Sequence, residues 1–371
     1  MNLSRLSRSF RPGVFAARCL AAAALASAGF GAAAQTAPAA HDAHPYNWFS
    51  PENAAASAGG VVASHDVQID GAHWLRLQFG DARLPAGAKL RITSLTDGAQ
   101  QHLNAETLAQ WRHTSAYFNG PALRVELLAS QAGEAGHFGI VKVLAGKPQI
   151  TPESRCGATD DRVASDEKDR ARLLDVGCTA NLTKDGCFIT AGHCLSSPSL
   201  VDVVEFNVPK SLAGGGLVHP APKDQYVPTT TRKFVDGGVG NDWGVFTVHP
   251  NTETGLMPLQ AQGQSLRFAK TIPVVGDEVR ITGYGVDSGM DNQTQQFSVG
   301  PVDSVVPGST TLRYRADTEG GNSGSAVLVG GRVVAIHTHG GCTNAGGANQ
   351  GTLLTNTAFK KAYKSICASA Q

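Results

Sequence analysis

Apolar residues in this chain come in short alternating runs fenced by turn formers, and that spacing points to strands far more than to helices. Val67-Gln68-Ile69, Trp74-Leu75-Arg76-Leu77-Gln78-Phe79, Leu90-Arg91-Ile92, Leu123-Arg124-Val125-Glu126-Leu127 and Ile140-Val141-Lys142-Val143 each place alternate side chains on one face. Asp81, Pro85-Ala86-Gly87 and Asn119-Gly120-Pro121 supply the turns between them. The 43 glycines and the 16% charged fraction carry the same all-β reading along the rest of the chain. One helix is expected near the end, where Phe359, Tyr363 and Ile366-Cys367 share a helical face behind Thr355 or Asn356 as N-cap.

Cysteine placement divides the chain. Apart from Cys19, the cysteines are Cys156, Cys178, Cys187, Cys194, Cys342 and Cys367, all beyond residue 150. Residues 1–34 read as a signal peptide: Arg5, Arg8, Arg11 and Arg18 precede the apolar stretch Cys19 to Phe30, and Ala32-Ala33-Ala34 forms a cleavage site before Gln35. The apolar stretch is too short to span a bilayer comfortably, so a secreted or periplasmic protein, free of the membrane after cleavage, is expected over an anchored one. An even set of six cysteines in an exported chain reads as disulfides. No CxxC pair or tetrahedral ligand spacing accompanies them, so neither a metal site nor a cofactor is expected.

Loss of the four leader arginines leaves 27 basic against 30 acidic residues, a formal charge of −3. With no basic stripe interleaved with aromatics, nucleic acid is not an expected partner. Residues 35–60, rich in Ala, Pro, Ser and Gly, read as a flexible lead-in; His41, Asp42 and His44 within it read as a solvated tail rather than a metal site. Residues 61–146 form an unbridged antiparallel β-sandwich, 147–170 a linker and processing region, and 171–371 a bridged domain.

Chemistry concentrates in that last domain. A serine that attacks amides needs a histidine to take its proton, a carboxylate to orient the histidine, and amide donors for the oxyanion. Thr190-Ala191-Gly192-His193-Cys194 follows the run Cys187-Phe188-Ile189, and Gly320-Gly321-Asn322-Ser323-Gly324-Ser325 precedes Ala326-Val327-Leu328-Val329. Glycine lets the second turn aim the amides of Gly321 and Ser323 at one oxygen. For the carboxylate, Asp242 heads the apolar run Trp243 to Val248, whereas Asp236, Asp277 and Asp287 lie by glycine-rich turns and Asp202 follows His193 too closely.

The boxes T-A-G-H-C and G-N-S-G-S, in this order around Asp242, resemble the histidine and serine boxes of the chymotrypsin-fold serine proteases over residues 170–371. The resemblance implies two perpendicular six-stranded β-barrels with His193, Asp242 and Ser323 in the cleft between them, acting through an acyl-enzyme. It also implies a disulfide between Cys178 and Cys194 closing the loop before the histidine. By analogy Cys187 reaches Cys367 in the terminal helix, and Cys156 pairs with Cys342 as in the lysyl endopeptidase branch. Where animal trypsin-type enzymes have an aspartate before the nucleophile, this chain has Asn322, which is similar to bacterial branches.

Specificity has two readings. Thr318 and His337 stand where the bacterial glutamyl endopeptidases, which this stretch resembles, bind a P1 carboxylate; Asp317 stands where trypsin carries its acidic floor, which favours Lys or Arg. His339, two residues on, reads as an exposed loop histidine. The expected partners are protein or peptide substrates of a monomer, with the sandwich as a prosegment cut near Lys147 or Glu153-Ser154. Two non-protease readings stay beside this one: an inactive binding protein on the same fold, and a carbohydrate-binding sandwich using Trp74, Trp111 and Tyr117.

Overall fold

The computed structural model describes residues 33–52, 60–129, 135–148, 155–196, 201–305 and 307–368. The leader through residue 32 and the Glu153-Ser154 junction lie outside the described residues. The chain is all-β, with two barrels behind a sandwich and one terminal helix.

Each sandwich sheet has four antiparallel strands. One runs His41–Phe49, His137–Gly146, Trp74–Arg83, Phe118–Asn119; the other runs Val61–Gln68, Ala122–Leu128, Lys89–Ser94, Gln100–Leu103. Alternation decides the faces: Leu90, Ile92, Leu123, Val125 and Leu127 are buried while the residues between them are not. The lead-in expectation needs correction here, because His41–Phe49 is an edge strand, with Pro45 just before a shift in register. Its one packed face is aromatic rather than aliphatic, with Trp48 stacked on His65 at 4.1 Å and Tyr46 Oη bonded to His65 Nε2 at 2.8 Å.

The first barrel is a curled sheet of Val201–Glu205, Arg170–Asp175, Cys178–Leu182, Phe188–Thr190, Asp242–Val248 and Pro228–Asp236, extended by Gln225–Tyr226. The second closes fully, because Arg332–Gly340 pairs with Ala326–Val329 on one side and Asn349–Leu353 on the other; Glu278–Gly283, Gln296–Val305 and Thr311–Tyr314 complete the ring. The helix Thr357–Cys367, N-capped by the Asn356 side chain on Phe359 N, buries Phe359, Ala362 and Ile366 against the first barrel. Disulfides join Cys178 to Cys194, Cys187 to Cys367 and Cys156 to Cys342.

Two expected boundaries move. Residues 155–167, expected as linker, lie on the second barrel: Val163–Ala164 pairs with Gln296 and Phe297, and the buried Arg162 guanidinium bonds Asp160 and the Val286 carbonyl. The sandwich core, in turn, does not end at the sandwich. Leu174, Val203, Leu217 and Val227 of the first barrel belong to the same buried apolar cluster as Trp74, Leu75, Tyr117 and Phe118. Trp74, Trp111 and Tyr117 are buried in it, which removes the faces a sugar would stack on.

Candidate active site

Each barrel contributes part of the cleft. Phe188–Thr190 pairs with Asp242–Val248, Thr190 facing Gly244, so the chain leaving the first strand arrives beside the start of the second. His193 opens a single 3-10 turn there; Gly192 before it touches the Val235 carbonyl so closely that an added Cβ would lie 1.9 Å away. The His193 amide donates to Asp242 Oδ1 at 3.0 Å and its Nδ1 lies 2.6 Å from Oδ2. Asp242 is wholly buried, so this pair fixes the ring and leaves Nε2 as the free nitrogen; Nε2 is buried with no hydrogen-bond partner among the described residues.

Ser323 comes from the second barrel on the turn that precedes Ala326–Val329. Gly321 holds φ +102°, and a Cβ there would meet the Tyr284 carbonyl at 2.2 Å, so glycine alone fits. Thr179 N donates to the Ser323 carbonyl at 2.8 Å, which ties the turn to the strand carrying Cys178. The amides of Gly321 and Ser323 converge on one oxygen, at 2.7 and 3.3 Å, and that oxygen is the backbone carbonyl of Gln35.

Nothing in the sequence reading placed Gln35 in the cleft. Its amide donates to Ser323 Oγ at 2.9 Å, and the Ser323 hydroxyl reaches the Thr338 carbonyl at 3.4 Å. Its side chain enters a buried pocket, where Oε1 lies 2.5 Å from His337 Nε2 while Nε2 of the amide finds no partner among the described residues. Behind His337, Tyr314 Oη lies 2.5 Å from Nδ1. Burial, with the charges of His339 and His193, pushes the His337 imidazole down to about 3, and burial pushes the Tyr314 hydroxyl well up. Tyr314 therefore donates to Nδ1, and the neutral ring presents Nε2–H to the pocket.

The two other pocket candidates separate. Thr318 is fully buried and its Oγ1 has no hydrogen-bond partner among the described residues. Asp317 accepts from the Cys156 amide at 2.7 Å and the Asp161 amide at 2.8 Å, so both carboxylate oxygens hold the chain around the Cys156–Cys342 bridge. His339 also differs from expectation. It is 9% exposed, 4.0 Å from Asp242 Oδ2, with its ring centroid 6.1 Å from that of His193. His339 lies on the strand Arg332–Gly340, which is buried from Val333 onward, so its place on that strand rather than any alternation accounts for its burial. Tyr314 and Gln35 carry no sequence signal of their place in the site. Cys178, His193 and Cys194 lie together, but both sulfurs are spent in a disulfide and have no thiolate to offer a metal.

Residues 178–336 match the family of trypsin-like peptidase domains. None of the curated proteins compared with the chain matches it. Among solved structures it is similar to a Glu endopeptidase, with 18% identity over 57% of this chain and 99% of that one and a TM-score of 0.44. It is also similar to the thermostable serine protease AL20 from an extremophilic microorganism, with 16% identity over 55% of this chain and 98% of that one and a TM-score of 0.42. Protease Anisep from Arthrobacter nicotinovorans shows 17% identity over 56% and 99%, with a TM-score of 0.42. The chain is thus a chymotrypsin-like double β-barrel in which residues 178–336 are the stretch that matches the trypsin-like peptidase domains.

Proposed function

We propose that this chain is an exported serine endopeptidase in which Ser323 attacks, His193 carries the proton and Asp242 holds the imidazole. The observation that carries the reading is the Gln35 carbonyl, a peptide carbonyl held by the Gly321 and Ser323 amides beside Ser323 Oγ. Those amides bind more tightly as the oxygen gains charge, so they favour the tetrahedral intermediate over the ground state. Asp242 keeps the Nδ1 proton on His193, which leaves Nε2 to take the Ser323 proton once the hydroxyl turns from Thr338. The proton then goes to the leaving amine, and a water deprotonated by the same nitrogen hydrolyses the acyl-enzyme.

A P1 acid is the preferred side chain in this reading. Nε2–H of His337 is a donor, and in place of the Gln35 amide a carboxylate brings a second acceptor where the amide has a stranded donor. In this reading Thr318, whose buried hydroxyl has no partner among the described residues, is a second donor. Preference for Lys or Arg has less support, because the Asp317 carboxylate is already bonded to two backbone amides.

Cleavage-site sequencing of a digested protein mixture tests both levels. The expected cuts follow Glu, then Asp, and Ser323→Ala and His193→Ala lower turnover by on the order of 10⁴ to 10⁶. Cuts confined to bonds after Lys or Arg would overturn the acidic pocket and leave the endopeptidase standing. An intact digest, with no labelling of Ser323 by an organophosphate, would return the chain to the binding-protein reading.

A further inference from the structure

The path of the chain on both sides of Gln35 is that of a substrate. Ala33 and Ala34 pair antiparallel with Gly340 and His339, along the strand that also carries His337. Beyond the nucleophile, the Ala37 amide donates to the Gly177 carbonyl at 2.8 Å and the Ala39 amide to the Asp175 carbonyl at 3.4 Å. Gly177 holds φ +64°, and a Cβ there would stand 1.8 Å from the Ala37 carbonyl oxygen, so the fit of the segment depends on the missing side chain. The segment thus fills subsites from both barrels, in one direction, with its carbonyl in the amide pair and its side chain in the specificity pocket. An inhibitory loop needs only to block the cleft. This one is threaded through it with a single peptide bond at the serine.

From this threading we infer that the Gln35–Thr36 bond is a self-cleavage site, the first substrate of the chain that contains it; the inference rests on the serine endopeptidase reading. Ser323 Oγ adds to the Gln35 carbonyl carbon as its proton passes to His193 Nε2. The bond from that carbon to the Thr36 nitrogen breaks, and Thr36 takes the proton and becomes a new amino terminus. Water, losing its proton to His193, hydrolyses the Gln35 ester and restores Ser323. Glutamine is the neutral isostere of the acid that the pocket prefers, so the cut is slower than that of an ordinary substrate and the segment occupies the cleft until it occurs. The pairing of Ala33 and Ala34 lasts only while the leader is attached, so the cut belongs to the chain before its removal after Ala34.

The test is the amino terminus of the full chain after expression and export, read by intact mass and terminal sequencing. Wild type is expected to begin at Thr36, and Ser323→Ala to retain Gln35. Gln35→Glu should be processed about tenfold faster, the factor that separates a charge-assisted hydrogen bond from a neutral one. Thr36→Pro should keep Gln35 and show low activity on an added Glu-containing peptide. A wild type that cuts such a peptide yet keeps Gln35 overturns the self-cleavage alone. One that does neither overturns the endopeptidase reading with it. A Ser323→Ala protein that begins at Thr36 assigns the cut to another peptidase and equally overturns the inference.

Discussion

At the scale of single residues, the proton on His337 is set by a tyrosine two strands away. Tyr314 donates to Nδ1, so Nε2 must be the nitrogen that donates to the pocket. Tyr314→Phe leaves Nδ1 buried without its donor and releases the ring to the other tautomer. The expected result is a roughly tenfold loss of cleavage after Glu, on the scale of one buried hydrogen bond, with cleavage after small apolar residues spared. An equal loss for both substrate types would make Tyr314 merely structural. His337→Ala should lose about ten- to a hundredfold on Glu by the same comparison. His193 and Ser323 stand out in the sequence because each sits in a glycine turn beside a strand, and Asp242 because it heads an apolar strand; their catalytic roles belong to the proposal. Tyr314 does not stand out, since an apolar-flanked tyrosine in a strand reads as core, and its meeting with His337 depends on barrel closure. Gln35 was hidden by composition: a segment of Ala, Thr and Pro reads as tail until the groove it fills is known.

Among the elements, the sandwich has the most to say about processing. The sequence separated it by its lack of cysteine, and the fold agrees on its sheets, but a pattern of alternation cannot reveal what its outer face meets. Here that face meets the first barrel through buried, paired groups. Tyr117 stacks on His219 at 4.6 Å, Gln225 brackets the Tyr117 backbone through both its amide atoms, and the Asn119 side chain bonds the His219 backbone at both ends. A sandwich that departed would strand these groups and uncover Leu174, Val203 and Val227. Cutting the linker between residues 148 and 155 is therefore expected to leave both pieces together in native gel filtration, separating only in denaturant; separation under native conditions would restore the departing prosegment. Tyr117→Ala should cost about 3 to 5 kcal/mol of stability, as for other large buried aromatics, measurable by denaturant unfolding.

For the molecule as a whole, acid is the expected weakness. Burial lowers His219, His337 and His339, and each of these imidazoles binds its proton more readily in the unfolded chain. Below about pH 6.5 the unfolded state takes up protons that the folded state refuses, so stability falls as pH falls, through a window that for His337 runs down to about 3. Glu205 adds to the trend: burial raises its carboxyl, yet His219 and Arg172 beside it outweigh that and hold it low, so its contribution is lost at still lower pH. Denaturation midpoints measured from pH 7 to pH 4 should decline steadily, and a flat profile would contradict the burial of these rings. One consequence of the fold lies in a distance along the chain. Only five residues separate Gln35 in the cleft from His41 at the start of a sandwich strand, and the sandwich is anchored to the barrel. A tether that short holds its occupant at an effective concentration on the order of millimolar, so the segment can fill the cleft with little intrinsic affinity. Supplied as a free peptide, residues 33–39 should compete with substrate only at about millimolar levels. The same weakness means that, once cut, the released end has no means of holding the site against an ordinary substrate.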